Sequence, residues 1–113
     1  MPLYMAEFGY TPDSWARLVK SPENREETVR QILEDAGCKL HGIWYAFGSS
    51  DGFALIEAPD TTTAGALSIA IASSGAFRKF DTHVLMTQDE LLEALDKAGD
   101  VAYAAPGGAA VHA

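Results

Sequence analysis

The chain has a single cysteine, Cys38, in 113 residues. That excludes an internal disulfide and any thiol-rich zinc centre. Basic residues are also scarce: eight Lys and Arg face sixteen Asp and Glu, for a net charge of −8. The eight are scattered, and phosphate backbones are bound by clustered Lys and Arg, so nucleic acid is not an expected partner. Long apolar runs are missing as well. The least polar stretch, Thr61 to Ala76, is too short and too rich in Thr and Ser to span a bilayer. The opening "MPLYMAEFGY" has no basic n-region and carries Glu7 in its apolar run, which argues against a signal peptide. No membrane partner and a cytoplasmic location are the expectation.

What is present is one domain's worth of ordinary globular composition, 48% apolar and 21% charged. "PLYMAEFGY" reads as a first strand. Thr11-Pro12-Asp13 supplies an N-cap, a Pro at the first helical position and an early acid. Ser21-Pro22-Glu23 repeats that start signal. Val29, Ile32, Leu33 and Ala36 then follow at helical spacing, with Gly37 as the stop. "CKLHGIWYAF" and "FALIEA" are strand-like and separated only by Gly48 to Gly52. Asp60 caps a helix through Ser74, and "AFRKFDTHVLMT" is a fourth strand. Thr87-Gln88-Asp89-Glu90 is a capping box for a short final helix carrying Leu91, Leu92 and Leu95. The order β-α-β-β-α-β predicts an α+β, ferredoxin-like fold: a four-stranded antiparallel sheet, helices on one face, and an extra C-terminal helix. Residues 1–99 form the expected domain and 100–113 a flexible tail.

Both faces of the predicted strands are apolar. Tyr4, Phe8 and Tyr10 alternate with Leu3 and Met5, Ile43 and Tyr45 with Trp44, and Ile56 with Phe53 and Leu55. A sheet face left in water is normally polar. The expectation is a homodimer, or a larger homo-oligomer, built sheet against sheet.

Gly48-Ser49-Ser50-Asp51-Gly52 spells the G-x-S-x-G of a hydrolase nucleophile elbow. An elbow needs a strand, a sharp turn and then a helix. Here a strand-like run stands on both sides, so the stretch reads as a hairpin in which Asp51 bonds nearby backbone. Gly107-Gly108 has no following Lys or helix and is no phosphate loop. Cys38 reads as a structural thiol at a helix-to-strand junction.

Along the chain stand, in order, "GYT" at Gly9 to Thr11, "SPENR" at Ser21 to Arg25, "EDAGCKL" at Glu34 to Leu40, the Gly48-x-x-Asp51 hairpin, "EAPD" at Glu57 to Asp60 and "SSGAFRKFDT" at Ser73 to Thr82. With these segments together the chain resembles the GYD-domain family, small bacterial proteins of the dimeric α/β-barrel class. One letter departs: Ser50 stands where the family's signature tyrosine is expected. The resemblance implies a fold and no particular chemistry.

The chemistry-bearing residues lie on strands. Glu7, His41 and His83 are the candidates for proton transfer, since an acid beside a His in an apolar cavity is a potential general base. Glu57 and Asp81 belong to the same polar set. No H-x-H or H-x-x-x-H spacing ties two metal ligands together, so neither a metal nor another cofactor is expected. Tyr45, Trp44, Phe8 and Asp51 are the candidate ligand-binding residues, in a sheet/helix cleft suited to a small apolar or aromatic molecule. The alternative is a non-catalytic module whose apolar sheet serves assembly or protein docking.

Overall fold

The computed structural model describes residues 1–108. The strands are β1 (Leu3–Tyr10), β2 (Lys39–Tyr45), β3 (Gly52–Glu57) and β4 (Phe77–Leu85). The helices are α1 (Pro12–Lys20), α2 (Arg25–Asp35), α3 (Thr61–Ala72) and α4 (Gln88–Ala98). The strands form one antiparallel sheet in the order β2-β3-β1-β4. This is the ferredoxin-like arrangement the sequence predicts, with the first helical segment split in two.

The caps explain where the helices begin. Thr11 and Asp60 accept the N–H groups of Ser14 and Thr63, at 3.2 and 2.7 Å. Thr87 and Glu90 close a reciprocal capping box. One start signal is displaced. Helix α2 begins after Asn24, whose side chain accepts the Glu27 N–H at 3.3 Å, and not at Ser21-Pro22-Glu23. Ser21 instead caps the end of α1, its N–H donating to the Arg17 carbonyl at 2.8 Å. Of the predicted tail, residues 109–113 lie outside the described residues.

The core sits between the sheet and helices α2 and α3. Tyr4 and Ala6 of β1, Leu40 of β2 and Ala54 of β3 meet Leu33 of α2 and Ala64 of α3. Leu33 is fully buried, worth about 1.5–3 kcal/mol relative to exposure. The Glu26 carboxylate accepts the Ile43 N–H at 2.9 Å and fixes α2 along edge strand β2.

Strand register sorts the remaining side chains. Glu7 lies opposite Phe53 on one side and Asp81 on the other, and Met5 opposite Leu55 and His83. Leu3, Met5, Phe53, Leu55, Trp44 and Leu85 therefore share the face that carries no helix, and these six are half-buried or exposed. Helix α4 leads away from β4 with Leu91, Leu92 and Leu95 exposed. The molecule is 59 Å in its longest dimension, with a radius of gyration of 18.3 Å. A compact chain of this length would have a radius of about 13 Å.

Candidate functional site

The candidate residues fall on two surfaces. Between the sheet and helices α2 and α3 lies a cleft of about 370 Å³. Ligand pockets typically measure roughly 300–1,000 Å³. Its lining is mostly apolar: Phe8 on the sheet, Phe77 and Phe80 from β4, Val29 and Ile32 from α2, and Ile71 from α3. Phe8 packs edge-on against Tyr10, Tyr45 and Phe77, with ring centroids 5.4, 6.0 and 5.7 Å apart. The Tyr10 and Tyr45 hydroxyls meet at 3.5 Å. Burial, reinforced by the bond to Tyr45, raises the Tyr10 phenol well above its ordinary pKa, so it stays a neutral donor. Two more open hollows, of about 550 and 350 Å³, adjoin this end of the cleft along α1 and the segment leading into α2.

The second surface is the uncovered sheet face. At its centre the Glu7 carboxylate accepts from the Ser50 hydroxyl and from Lys79 Nζ at 3.1 Å. Its other oxygen lies 3.0 Å from His83 Nε2. Lys79 also donates to Ser50 Oγ at 2.9 Å. The Ser50 hydroxyl, then the Lys79 ammonium and the His83 ring, lower the Glu7 pKa to about 2. A carboxylate bound this way is a weak base, and the His83 nitrogen facing it must carry the hydrogen.

His41 lies on the far edge strand, where it marks a bulge in β2 between Leu40 and Gly42. Its Nε2 faces Glu57 at 3.2 Å. With strands about 4.8 Å apart, His41 and His83 stand some three spacings, roughly 14 Å, from each other. The structure brings Glu7 and His83 together, leaves His41 apart, and puts none of the three in the lining of the cleft.

Of the four expected ligand-binding residues, Phe8 lines the cleft and Tyr45 stands beside it, bonded to Tyr10. Trp44 is on the open face, where its ring lies over Gly42 and would meet an added Cβ there at 3.0 Å. Asp51 is fully engaged in structure. Its Oδ2 accepts the Tyr10 N–H at 2.8 Å and the Trp15 indole N–H at 3.1 Å, while Oδ1 faces Arg78 at 3.3 Å. Burial raises its pKa, but these bonds outweigh burial and leave it below the ordinary value. The hairpin reading of Ser50 is borne out in the fold: the residue precedes β3, is buried, and points at Glu7.

Two participants went unnoticed in the sequence. Lys79 shares the Lys79-Asp81-His83 alternation along β4, a visible signal once that strand's outer face is known. Arg25 borders the cleft and both adjoining hollows. Its only sequence signal is its place within "SPENR". Among the described residues, no group of three or more His, Cys, Asp or Glu is arranged to hold a metal ion, and no helix is long and apolar enough to cross a membrane.

A ferredoxin-like α+β protein with an aromatic cleft on one side of its sheet and an uncovered apolar face on the other is thereby defined. The model of the GYD domain matches residues 4–95, and the chain belongs to that family. It is also similar to the glutamine synthetase and cystathionine beta-lyase binding protein of Thermus thermophilus. The two are 25% identical over 89 residues, covering 79% of this chain and 94% of that protein. No solved structure matches.

Proposed function

We propose that this is a small cytoplasmic binding protein that takes a small apolar or aromatic molecule in the cleft between its sheet and helices. It associates with its own kind through the open sheet face. The observation that carries the first part is the cleft itself: about 370 Å³, ringed by Phe8, Phe77 and Phe80, with the Tyr10 and Tyr45 hydroxyls side by side. A packed core leaves few voids larger than a water molecule. The reading includes no catalytic step, because the proton-transfer candidates sit on the other face and Glu7 is held as a weak base.

Charge supports a second copy as the occupant of the open face. That face carries Glu7, Glu57 and Asp81 against Lys39 and Lys79, with His41 and His83 set beside the two glutamates. Most of the chain's negative excess therefore lies elsewhere. Two such faces meet without strong repulsion.

The cleft is tested by titrating the protein with naphthalene-type compounds, following both thermal shift and heat of binding. Ala70→Trp, an exposed position on the cleft wall, serves as a blocked control. Stabilisation of the natural protein that Ala70→Trp removes is the expected result. Stabilisation by none of the compounds, or equally of both proteins, would count against a cleft ligand.

A second reading is favoured by the Thermus thermophilus relative, whose name describes binding to two enzymes. On it the chain docks other proteins, and the exposed Leu91, Leu92 and Leu95 of α4 are the surface offered. Sedimentation of the purified chain with the glutamine synthetase and cystathionine β-lyase of the same organism distinguishes it. A complex that Leu92→Glu and Leu95→Glu abolish supports docking, and independent sedimentation rejects it.

A further inference from the structure

We infer that the cleft selects a carboxylic acid with a flat apolar body, and that Arg25 is the residue that reads the carboxylate. The inference rests on the cleft being a ligand site and adds the ligand's charge and class.

The first observation is which charges the cleft contains. The chain has sixteen acids and eight Lys and Arg, yet no Asp or Glu lines the cleft and its one ionic group is Arg25. A cation facing an aromatic chamber sets a positive potential there, and low-dielectric walls strengthen it. A ligand cation would be repelled. A neutral ligand would gain nothing from that charge.

The second observation is the position of Arg25. It is the first residue of α2, half-buried, and it borders the cleft and both adjoining hollows. Tyr10 lines two of these three spaces with it, and Tyr45 the other. The Arg25 guanidinium and the Tyr10 phenol thus share the lining of the apolar chamber, and the Tyr45 hydroxyl lies 3.5 Å from that of Tyr10. Guanidinium matches carboxylate geometry with two parallel N–H donors, and a neutral phenol adds a third. Glu23 holds one guanidinium nitrogen at 2.9 Å and lines the two adjoining hollows, though not the cleft itself. That pair is exposed, contributes little, and does not consume the other donors.

The body of the ligand follows from the walls. Phe77 stacks on Tyr10 with centroids 5.1 Å apart and planes 25° from parallel, and Phe80 stands edge-on to Phe77 at 5.6 Å. Such rings favour a flat partner.

The test compares benzoate, cinnamate and 2-naphthoate with their carboxamides, which match them in shape and lack the charge. Calorimetric titrations are run on the natural protein and on Arg25→Gln. The acids are expected to bind the natural protein roughly 10-fold or more tighter than the amides, the scale of a charge-assisted pair. Arg25→Gln is expected to remove that difference, with acid binding falling further than amide binding. Acids and amides binding the natural protein alike would overturn the inference and leave the cleft reading intact. So would an acid preference that survives Arg25→Gln. Binding of neither series would overturn both. The comparison on the natural protein stands even if the variant does not fold.

Discussion

Asp51 accepts the backbone N–H of Tyr10 at 2.8 Å, joining two residues 41 positions apart. The same oxygen takes the Trp15 indole at 3.1 Å, and the Asp51 N–H donates to the Phe8 carbonyl at 2.8 Å. One hairpin residue thereby aligns β1, α1 and the aromatic end of the cleft. Asp51→Ala strands the Tyr10 and Trp15 donors and is expected to cost about 2 kcal/mol, since each lost bond to a charged acceptor is substantial. Urea unfolding checks this, and an unchanged midpoint would remove Asp51 from its anchoring role.

The Glu7 cluster makes stability depend on pH with a definite sign. Its carboxyl is held at about 2 in the folded chain against an ordinary value of 4.5. The folded state binds fewer protons than the unfolded one between those values. The stabilisation is complete above 4.5 and is lost as pH falls from there through about 2. Glu7→Gln is therefore expected to be less stable than the natural protein at pH 6, and the gap should narrow as pH approaches 2. Urea midpoints across that range measure it. A gap independent of pH would show that the cluster does not hold Glu7 ionised.

Two glycines separate packing from propensity. A Cβ at Gly52 would lie 2.4 Å from Cζ of Phe8, so the ring must move, whereas Gly65, inside α3, has nothing within 4 Å of an added Cβ. Gly52→Ala is expected to cost about 1–3 kcal/mol by overpacking. Gly65→Ala should gain about 0.5–1 kcal/mol by reducing the freedom of the unfolded chain. Thermal unfolding of the two variants gives shifts of opposite sign if this is right.

Self-association follows from the open face. Leu55→Glu places a charge among Met5, Phe53 and Trp44 without entering the core, because Leu55 points away from α2 and α3. Light scattering after gel filtration should show the natural protein as a dimer or larger and the variant as a monomer. A monomeric natural protein, or an unchanged assembly, contradicts the use of this face.

The fold was legible because its signals are local. Thr11, Asp60 and Thr87 each precede a run at helical spacing, and each caps a helix. The strands on either side of Gly48 to Gly52 are close in sequence. Where two cap-competent residues stood three apart, as Ser21 and Asn24 do, local chemistry did not choose between them. The site was harder for a different reason. Glu7 meets Ser50 and Lys79 across 43 and 72 residues, so their meeting depends on strand register. His41 shows the difficulty: the bulge at its position changes the parity of β2, and the neighbouring Gly42 hints at a bulge without fixing where the register shifts. Arg25 enters the cleft through the placement of α2 against the sheet, which its neighbours in sequence do not encode.

The central claim is that the cleft between sheet and helices is where this protein binds its ligand. Amide and methyl NMR spectra, recorded while an aromatic carboxylate is titrated in, test it most directly. The account predicts saturable shifts at Phe8, Val29, Ile32, Ile43, Ile71 and Phe80, with Leu3, Met5, Phe53 and Leu55 unmoved. Shifts confined to the open sheet face, or to the exposed leucines of α4, would contradict it.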